Sequence, residues 1–264
     1  MAKKTRSGRT FIDPGLGKAS GPGEVRLVEG SELSHARTVR VKTGETVILT
    51  DGMGKRWEAT VDEVKREHME CVLTSEMPPQ NLLPVRLWAP AGNRDRSLWL
   101  VEKAVEIGVR SVTWIVWERS RSVADFGKSE NFVARASARA ASAMKQSGGS
   151  WLPHLSGPVE WRQAADWFAA RRGRGGAGGA HGWLGDPNGT PAVALARRGM
   201  SRRSNEDLIV AVGPEGGLLQ PERDRCIEAG FQPVSLGAAN LRFETAAVGL
   251  LAMASAILET GRLK

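Results

Sequence analysis

The chain has 264 residues, 41% hydrophobic and 25% charged, with a formal net charge of +8 and a pI near 10.0. No apolar run approaches the ~20 residues of a membrane-spanning helix, and Met1-Ala2-Lys3-Lys4 leads into no apolar stretch of a secretory signal. Two distant cysteines and four histidines, without a CxxC, indicate neither a disulfide framework nor a metal site. The expectation is a cytoplasmic protein of one large or two modest domains with a polyanionic partner, nucleic acid before membrane.

Residues 1–23 are basic and rich in Gly, Ser and Pro, and read as an arm or a loosely docked first strand. Residues 24–77 look like a small β-barrel of short strands. Val39-Arg40-Val41 and Thr46-Val47-Ile48-Leu49 come first. Asp51-Gly52 then marks a hairpin leading to Trp57-Glu58-Ala59-Thr60-Val61, and Met69-Glu70-Cys71-Val72-Leu73 closes the set. Met77-Pro78-Pro79-Gln80 is the natural linker. From 83 to 264 the pattern becomes α/β, with a mostly parallel sheet. Val85–Ala89 is a strand, and Ser97–Ile107 a helix closed by Gly108. Val112–Trp117 is a strand, and Ser129–Gln146 and Val159–Arg171 are helices. Arg172–Ala180 is a glycine tract, read as a surface loop or an RNA-touching segment.

The last quarter carries the unusual loops. Leu208–Val212 reads as a buried strand and runs into Gly213-Pro214-Glu215-Gly216-Gly217. Three glycines there permit positive φ and close approach of a ligand to the backbone. The helix that follows is expected to start at Gln220 and Pro221 and to end near Gly230. Pro233–Leu236 is a second strand, followed by Gly237, then Asn240, Leu241, Arg242 and Glu244. Thr245–Glu259 is a helix apolar on nearly all sides, expected between the sheet and another subunit. Ala247, Gly249, Ala252 and Ala256 would let a partner helix come close. Arg242 is a charge beside that helix and needs a partner: Glu215, Glu244, or a ligand carbonyl or phosphate.

GPEGG followed by LGAANLRFETA and a terminal apolar helix resembles the C-terminal signature of SPOUT methyltransferases of the RsmE type. The family reads LG-x-x-I-L-R-x-E-T-A, with Asn240 here at the aliphatic position. Lys103-Ala104-Val105-Glu106-Ile107-Gly108-Val109 is similar to its K-x-x-E-L-G-V helix end. Glu118-Arg119-Ser120 falls where the family has an arginine-serine segment. Gln146 and Pro153 match a Q-x-x-R-x-x-x-P stretch whose arginine position is Gly149. Arg9-Thr10-Phe11 and His35–Arg40 resemble its opening strand and H-x-x-x-V-L-R run.

The resemblance implies a PUA-like RNA-binding barrel at 24–77 and a trefoil-knotted SPOUT domain at 83–264. The latter would bind S-adenosyl-L-methionine and dimerise through its last helix. It implies methylation of uridine N3 in 16S ribosomal RNA of the small subunit. Gly213, Gly216, Gly217 and Gly237 would meet the cofactor through backbone, with Leu236 and Leu241 flanking its adenine. Arg242 is the candidate for stabilising charge on the uracil carbonyls, and Glu215 or Glu244 for taking the N3 proton. Glu244 alternatively caps the helix. Arg9, Arg37 and Arg40, then Lys42, are the candidate phosphate contacts. Two alternatives stay open: another SPOUT RNA methyltransferase, acting for instance on ribose, or a non-catalytic RNA-binding assembly factor.

Overall fold

A computed structural model of the chain describes residues 9–17, 20–78, 80, 82–120, 130–172, 180–198 and 206–262. The chain divides into two compact units, Met1–Asn81 with Ala141–Leu152, and Leu82–Ala140 with Pro153–Lys264.

The first unit is a half-barrel around one five-stranded sheet. Its elements are β1 (Thr10–Ile12), β2 (Val25–Val28), α1 (Gly30–Thr38), β3 (Thr46–Thr50), β4 (Arg56–Val64) and β5 (Met69–Glu76). The order is β1-β3-β4-β5-β2, with β1 parallel to β3 and the other pairs antiparallel. Along β4, Trp57, Ala59 and Val61 point inward and alternate with more exposed neighbours, the period of a strand with one wet face. They meet Phe11, Val47, Leu49, Met69, Cys71 and Leu73 in one core. The Asp51-Gly52 turn joins β3 to β4 as expected, the Asp51 carboxylate accepting the Met53 and Lys55 amides.

Two expectations change here. Residues 30–38 form a helix where only strands were expected, with Leu33 and Ala36 three apart on its buried face, and Val39–Val41, expected as a strand, is the end of that helix and the turn after it. A nine-residue helix shows too little periodicity to stand out in sequence. Residues 1–8 of the basic arm lie outside the described residues, but Thr10–Ile12 is a docked strand with Phe11 fully buried. Residues 141–152 join this unit through Lys145, whose ammonium lies 2.7 Å from Glu32, and through Ser150, whose carbonyl accepts the Gly54 amide.

The second unit holds β6 (Val85–Pro90), α2 (Arg94–Ile107), β7 (Ser111–Val116), the start of α3 (Glu130–Ser147), β8 (His154–Glu160) and α4 (Trp161–Ala169). It continues with β9 (Ala180–Pro191), α5 (Ala192–Arg198), β10 (Asp207–Ala211), α6 (Gln220–Ala229), β11 (Phe231–Ser235) and α7 (Phe243–Arg262). The six strands are all parallel, in the order β11-β9-β10-β6-β7-β8. Covered on both faces, β6 and β10 are near-continuous apolar runs. Asn93 caps α2, its side-chain oxygen accepting the Arg96 amide, and Gly108 closes it at φ 85°.

The helix expected at Val159–Arg171 begins only at Trp161, because Val159 and Glu160 pair with β7 as part of β8. Residues 173–179 of the glycine tract lie outside the described residues, while Ala180 opens β9. The terminal helix is not buried all round within the chain. Ala247, Leu250, Leu251, Ala254 and Leu258 face inward, and Ala252 and Ala256 are exposed. Gly249 lies under Leu236, whose Cδ1 would stand 2.6 Å from a Cβ there, so it serves as that leucine's seat. Among the described residues no helix is long and apolar enough to cross a membrane.

Candidate functional site

In an open parallel sheet the loops beyond the carboxyl ends of the strands are free to bind ligands, above all where neighbouring connections diverge. Two clefts open at those ends in the second unit. The first, of about 700 Å³, is lined by 185–188, 212–218, 236–237, 239–241 and Phe243, which follow β9's first half, β10 and β11. The second, of about 440 Å³, is lined by 90–95 after β6, by Arg119 after β7, and by 214–216 and Phe243. The loop that follows β10, in the middle of the sheet, is a wall of both.

That loop is the GPEGG motif. Its turn closes with the Gly217 amide donating to the Pro214 carbonyl at 2.9 Å, with Gly217 in the left-handed region at φ 72°. A Cβ at Gly213 would lie 2.9 Å from Leu218 Cγ. Gly216 presents its carbonyl to Arg119, whose Nη1 donates at 2.6 Å. Behind the loop, the fully buried Glu222 accepts the Leu219 amide at 2.6 Å and the Glu118 amide at 2.7 Å. One carboxylate thus starts α6, one residue before the expected cap, and ties it to the segment after β7.

The opposite wall of the first cleft comes from the second motif. Gly237, at φ 143°, has open space where a side chain would stand. Leu236 and Leu241 are 37% and 43% exposed, unusual for leucines on a cleft. Gly213, Gly216, Gly217, Leu236, Gly237 and Leu241, all expected at the cofactor from the sequence, thus line one cavity. These parts fit S-adenosylmethionine: backbone exposed by glycine for polar groups, two uncovered leucines for a flat base, and a volume within the ~300–1,000 Å³ of small-molecule sites.

A third segment of that cleft went unrecognised. β9 pairs with β11 up to Leu184↔Pro233 and resumes at Thr190↔Val234, so Gly185-Asp186-Pro187-Asn188-Gly189 bulges out between. Asp186 holds the bulge, accepting the Asn188 amide at 2.8 Å and the Arg223 Nε at 2.5 Å. Gly189 is obligatory, since a Cβ would come within 2.5 Å of the Pro233 and Val234 backbone. The G-D-P-N-G string is a turn signal that was available in sequence.

The charged candidates separate. Arg242 does not pair with Glu215 or Glu244; both carboxylates go to Arg96 of α2. The Arg96 Nη1 contacts Glu215 Oε1, and its Nε lies 3.6 Å from Glu244 Oε1. Arg242 is exposed between two lining residues, Leu241 and Phe243. Among the described residues its side chain has no hydrogen-bond or ion-pair partner. The Glu215 side chain is 46% exposed on the shared wall, whereas Glu244 is 12% exposed with Oε2 buried and unbonded. Glu244 is already inside the first turn of α7 and directs its carboxylate to Arg96 rather than to the helix amides.

The three candidate RNA contacts belong to the other unit. Arg9 is paired with Glu45. Arg37 is exposed and donates through Nη2 to the carbonyls of Lys65 and Arg66. Arg40 is exposed at φ 53°, the left-handed position that ends α1. Gly149 bonds the Met144 carbonyl through its amide at 2.9 Å. Among the described residues no group of three or more His, Cys, Asp or Glu side chains is placed to hold a metal ion.

Residues 79–255 match the RNA methyltransferase domain family. The ribosomal RNA small subunit methyltransferase E of Mycobacterium bovis is 30% identical over 232 residues, covering 85% of this chain and 84% of that protein. Its Synechocystis counterpart is 26% identical over 236 residues, covering 85% of this chain and 70% of that protein. Among solved structures, the ribosomal RNA small subunit methyltransferase E of Neisseria gonorrhoeae, bound to S-adenosyl methionine, superposes with a TM-score of 0.74 at 26% identity. The superposition covers 94% of this chain and 95% of that one. A Legionella pneumophila putative methyltransferase with bound SAM shares the fold, with a TM-score of 0.78 at 24% identity over 95% and 98% of the two chains.

Proposed function

The chain belongs to the RNA methyltransferase family and, within it, to the RsmE type, and from that premise we propose that it methylates N3 of a uridine in small-subunit ribosomal RNA in the cytoplasm. The observation that carries the proposal is the meeting of GPEGG and LGAANLRFETA on two walls of one cleft. S-adenosylmethionine, when bound there, supplies an electrophilic methyl group on a sulfonium. Gly213, Gly216, Gly217 and Gly237 bring backbone groups to it, and Leu236 and Leu241 hold the adenine.

Uridine N3 carries an imide proton and is a nucleophile only as that proton leaves. N3 forms a bond to the methyl carbon while the carbon–sulfur bond breaks and its electron pair returns to sulfur. Glu215, the exposed carboxylate, takes the N3 proton. Arg242, with a guanidinium uncommitted among the described residues, stabilises the negative charge that grows on the flanking carbonyl oxygens. Glu244 supports this arrangement through Arg96, which it shares with Glu215.

The proposal extends to the architecture. The half-barrel (24–77), with Arg9 just before its first strand, is a PUA-like module contacting phosphates through Arg9, Arg37 and Arg40. The α/β domain (83–264) is a SPOUT trefoil knot, a reading supported by its likeness to the S-adenosyl methionine-bound Neisseria structure. Ala252 and Ala256, small apolar residues exposed on α7, support a homodimer through that helix.

The test is methyl transfer to deproteinised small-subunit RNA and to assembled subunits, with the mark located by mass spectrometry. N3-methyluridine is the expected product. A 2′-O-methyl nucleoside would move the chain to another SPOUT activity. A folded protein that binds no S-adenosylmethionine in calorimetry would leave only an RNA-binding role.

A further inference from the structure

The second cleft has no assigned occupant. It lies over the ends of β6, β7 and β10, and it shares Pro214, Glu215, Gly216 and Phe243 with the first. A molecule in either cleft therefore touches the same short wall. Its chemistry differs from that of the first cleft, whose lining is rich in glycine and leucine. Here Asn93, Arg94, Asp95, Arg119, Glu215 and Phe243 share the lining.

Two of these groups are held in place. Arg119 spends one N–H on the Gly216 carbonyl, which fixes its guanidinium plane and leaves further N–H donors. Glu215 is gripped by Arg96, which reaches from the first turns of α2 and also engages Glu244 at 3.6 Å. The cleft thus offers a carboxylate acceptor among guanidinium donors, with an aromatic ring beside them. A uracil edge presents the complement, an N–H donor between two carbonyl acceptors.

We propose that this second cleft receives the acceptor pyrimidine, extruded from the RNA strand. Arg119 and Glu215 meet its imide edge, and Arg96 is the positioning residue that holds Glu215 on the shared wall. The proposal rests on the methyltransferase reading above and adds where the base enters. Chemistry on a base requires it to leave its stack, and a cleft that shares a wall with the cofactor's brings the extruded base beside the methyl donor. Glu215 then stands where the base and the methyl donor meet.

Photo-cross-linking tests the location without requiring turnover. A small-subunit RNA transcript substituted with 4-thiouridine would be irradiated with the full-length protein and S-adenosylhomocysteine, and the labelled peptides mapped. Cross-links within 90–95, at Arg119 or within 214–216 are expected, and cross-links that miss all three segments overturn the proposal.

Kinetics tests the roles. Arg119→Ala is expected to lower kcat/KM for RNA about 10- to 100-fold, the worth of one charge-assisted hydrogen bond. Its dissociation constant for S-adenosylmethionine, from calorimetry, should stay within about threefold. Arg96→Ala should lower kcat more than it raises KM for RNA, and Arg96→Lys should recover part of the loss. Cofactor binding that falls in step with activity in these variants would make the two arginines mere props of the GPEGG loop and overturn their roles. Wild-type protein that binds no cofactor while still cross-linking at the second cleft would defeat the methyltransferase reading and leave the RNA site standing.

Discussion

Two carboxylates and one guanidinium meet beside the GPEGG loop, and their exposures divide the work among them. Arg96 pairs with both Glu215 and the nearly buried Glu244, and Arg242 has no ion-pair partner among the described residues, in keeping with the role proposed for it. Arg242→Ala is accordingly expected to reduce single-turnover methyl transfer by about 10²–10³-fold, the usual size for a lost charge-stabilising donor. Its circular dichroism and urea midpoint should match wild type, and full turnover in a folded variant would remove the assignment. Arg40 offers a second test at this scale. A non-glycine residue in the left-handed region costs roughly 1–2 kcal/mol, and Arg40 occupies it at φ 53° with an exposed side chain. Arg40→Gly should raise stability by about 1 kcal/mol in urea unfolding. It should also weaken RNA binding and flatten the log K against log salt slope by about one unit, if that side chain neutralises a phosphate. Stabilisation without any change in the salt slope would confine Arg40 to the end of its helix.

Elements, rather than single residues, shape the cleft. The bulge within β9 exists because β11 pairs with both of its halves, and the five residues between them have nowhere to go but outward. Gly189 is where the two strands close again against Pro233 and Val234. Gly189→Ala should therefore destabilise the protein by about 1–3 kcal/mol, the range for overpacking against atoms that cannot yield. It should weaken S-adenosylmethionine binding as well, since the bulge lines the cleft proposed for the cofactor. Unchanged melting and unchanged calorimetric affinity would show that the strands separate without cost. The same element explains why part of the site escaped a reading of the sequence. Period-two and apolar-run signals identify β10 and β11, but a strand interrupted by G-D-P-N-G reads as two fragments and a turn. Only pairing with β11 makes it one strand. Similarly, α1 is too short to announce itself, and β8 hides in a segment ending in Pro158 and Val159 that looks like a helix start.

At the scale of the whole molecule, each compact unit buries one thiol, and this sets an alkaline limit. Burial pushes Cys71 in the first unit and Cys226 in the second up to about 12, from an ordinary value of 9.0. Between those values the unfolded chain has lost its thiol protons while the folded one retains them. Stability is therefore unaffected by these groups below about 9 and falls as pH rises towards 12, by up to about 1.4 kcal/mol per pH unit for each thiol. Urea unfolding at pH about 8 and about 10.5 should show the loss, and Cys71→Ala and Cys226→Ala should each flatten it. Slopes identical to wild type in both variants would assign the alkaline loss to other groups.

The sequence by itself determined a strand-rich first half, an α/β second half with a parallel sheet, most strand and helix boundaries there within a few residues, and the two glycine-bearing loops of the first cleft. These are local matters: apolar period, capping residues, and glycines whose demands are met by their immediate neighbours. The tertiary structure alone decided that Arg96 and not Arg242 pairs with Glu215 and Glu244, that Asp186 meets Arg223, and that a second cleft opens on the other side of GPEGG. Each of these joins residues far apart in the chain. Charge pairing depends on distance in space, which the strand order β11-β9-β10-β6-β7-β8 sets and no local pattern encodes.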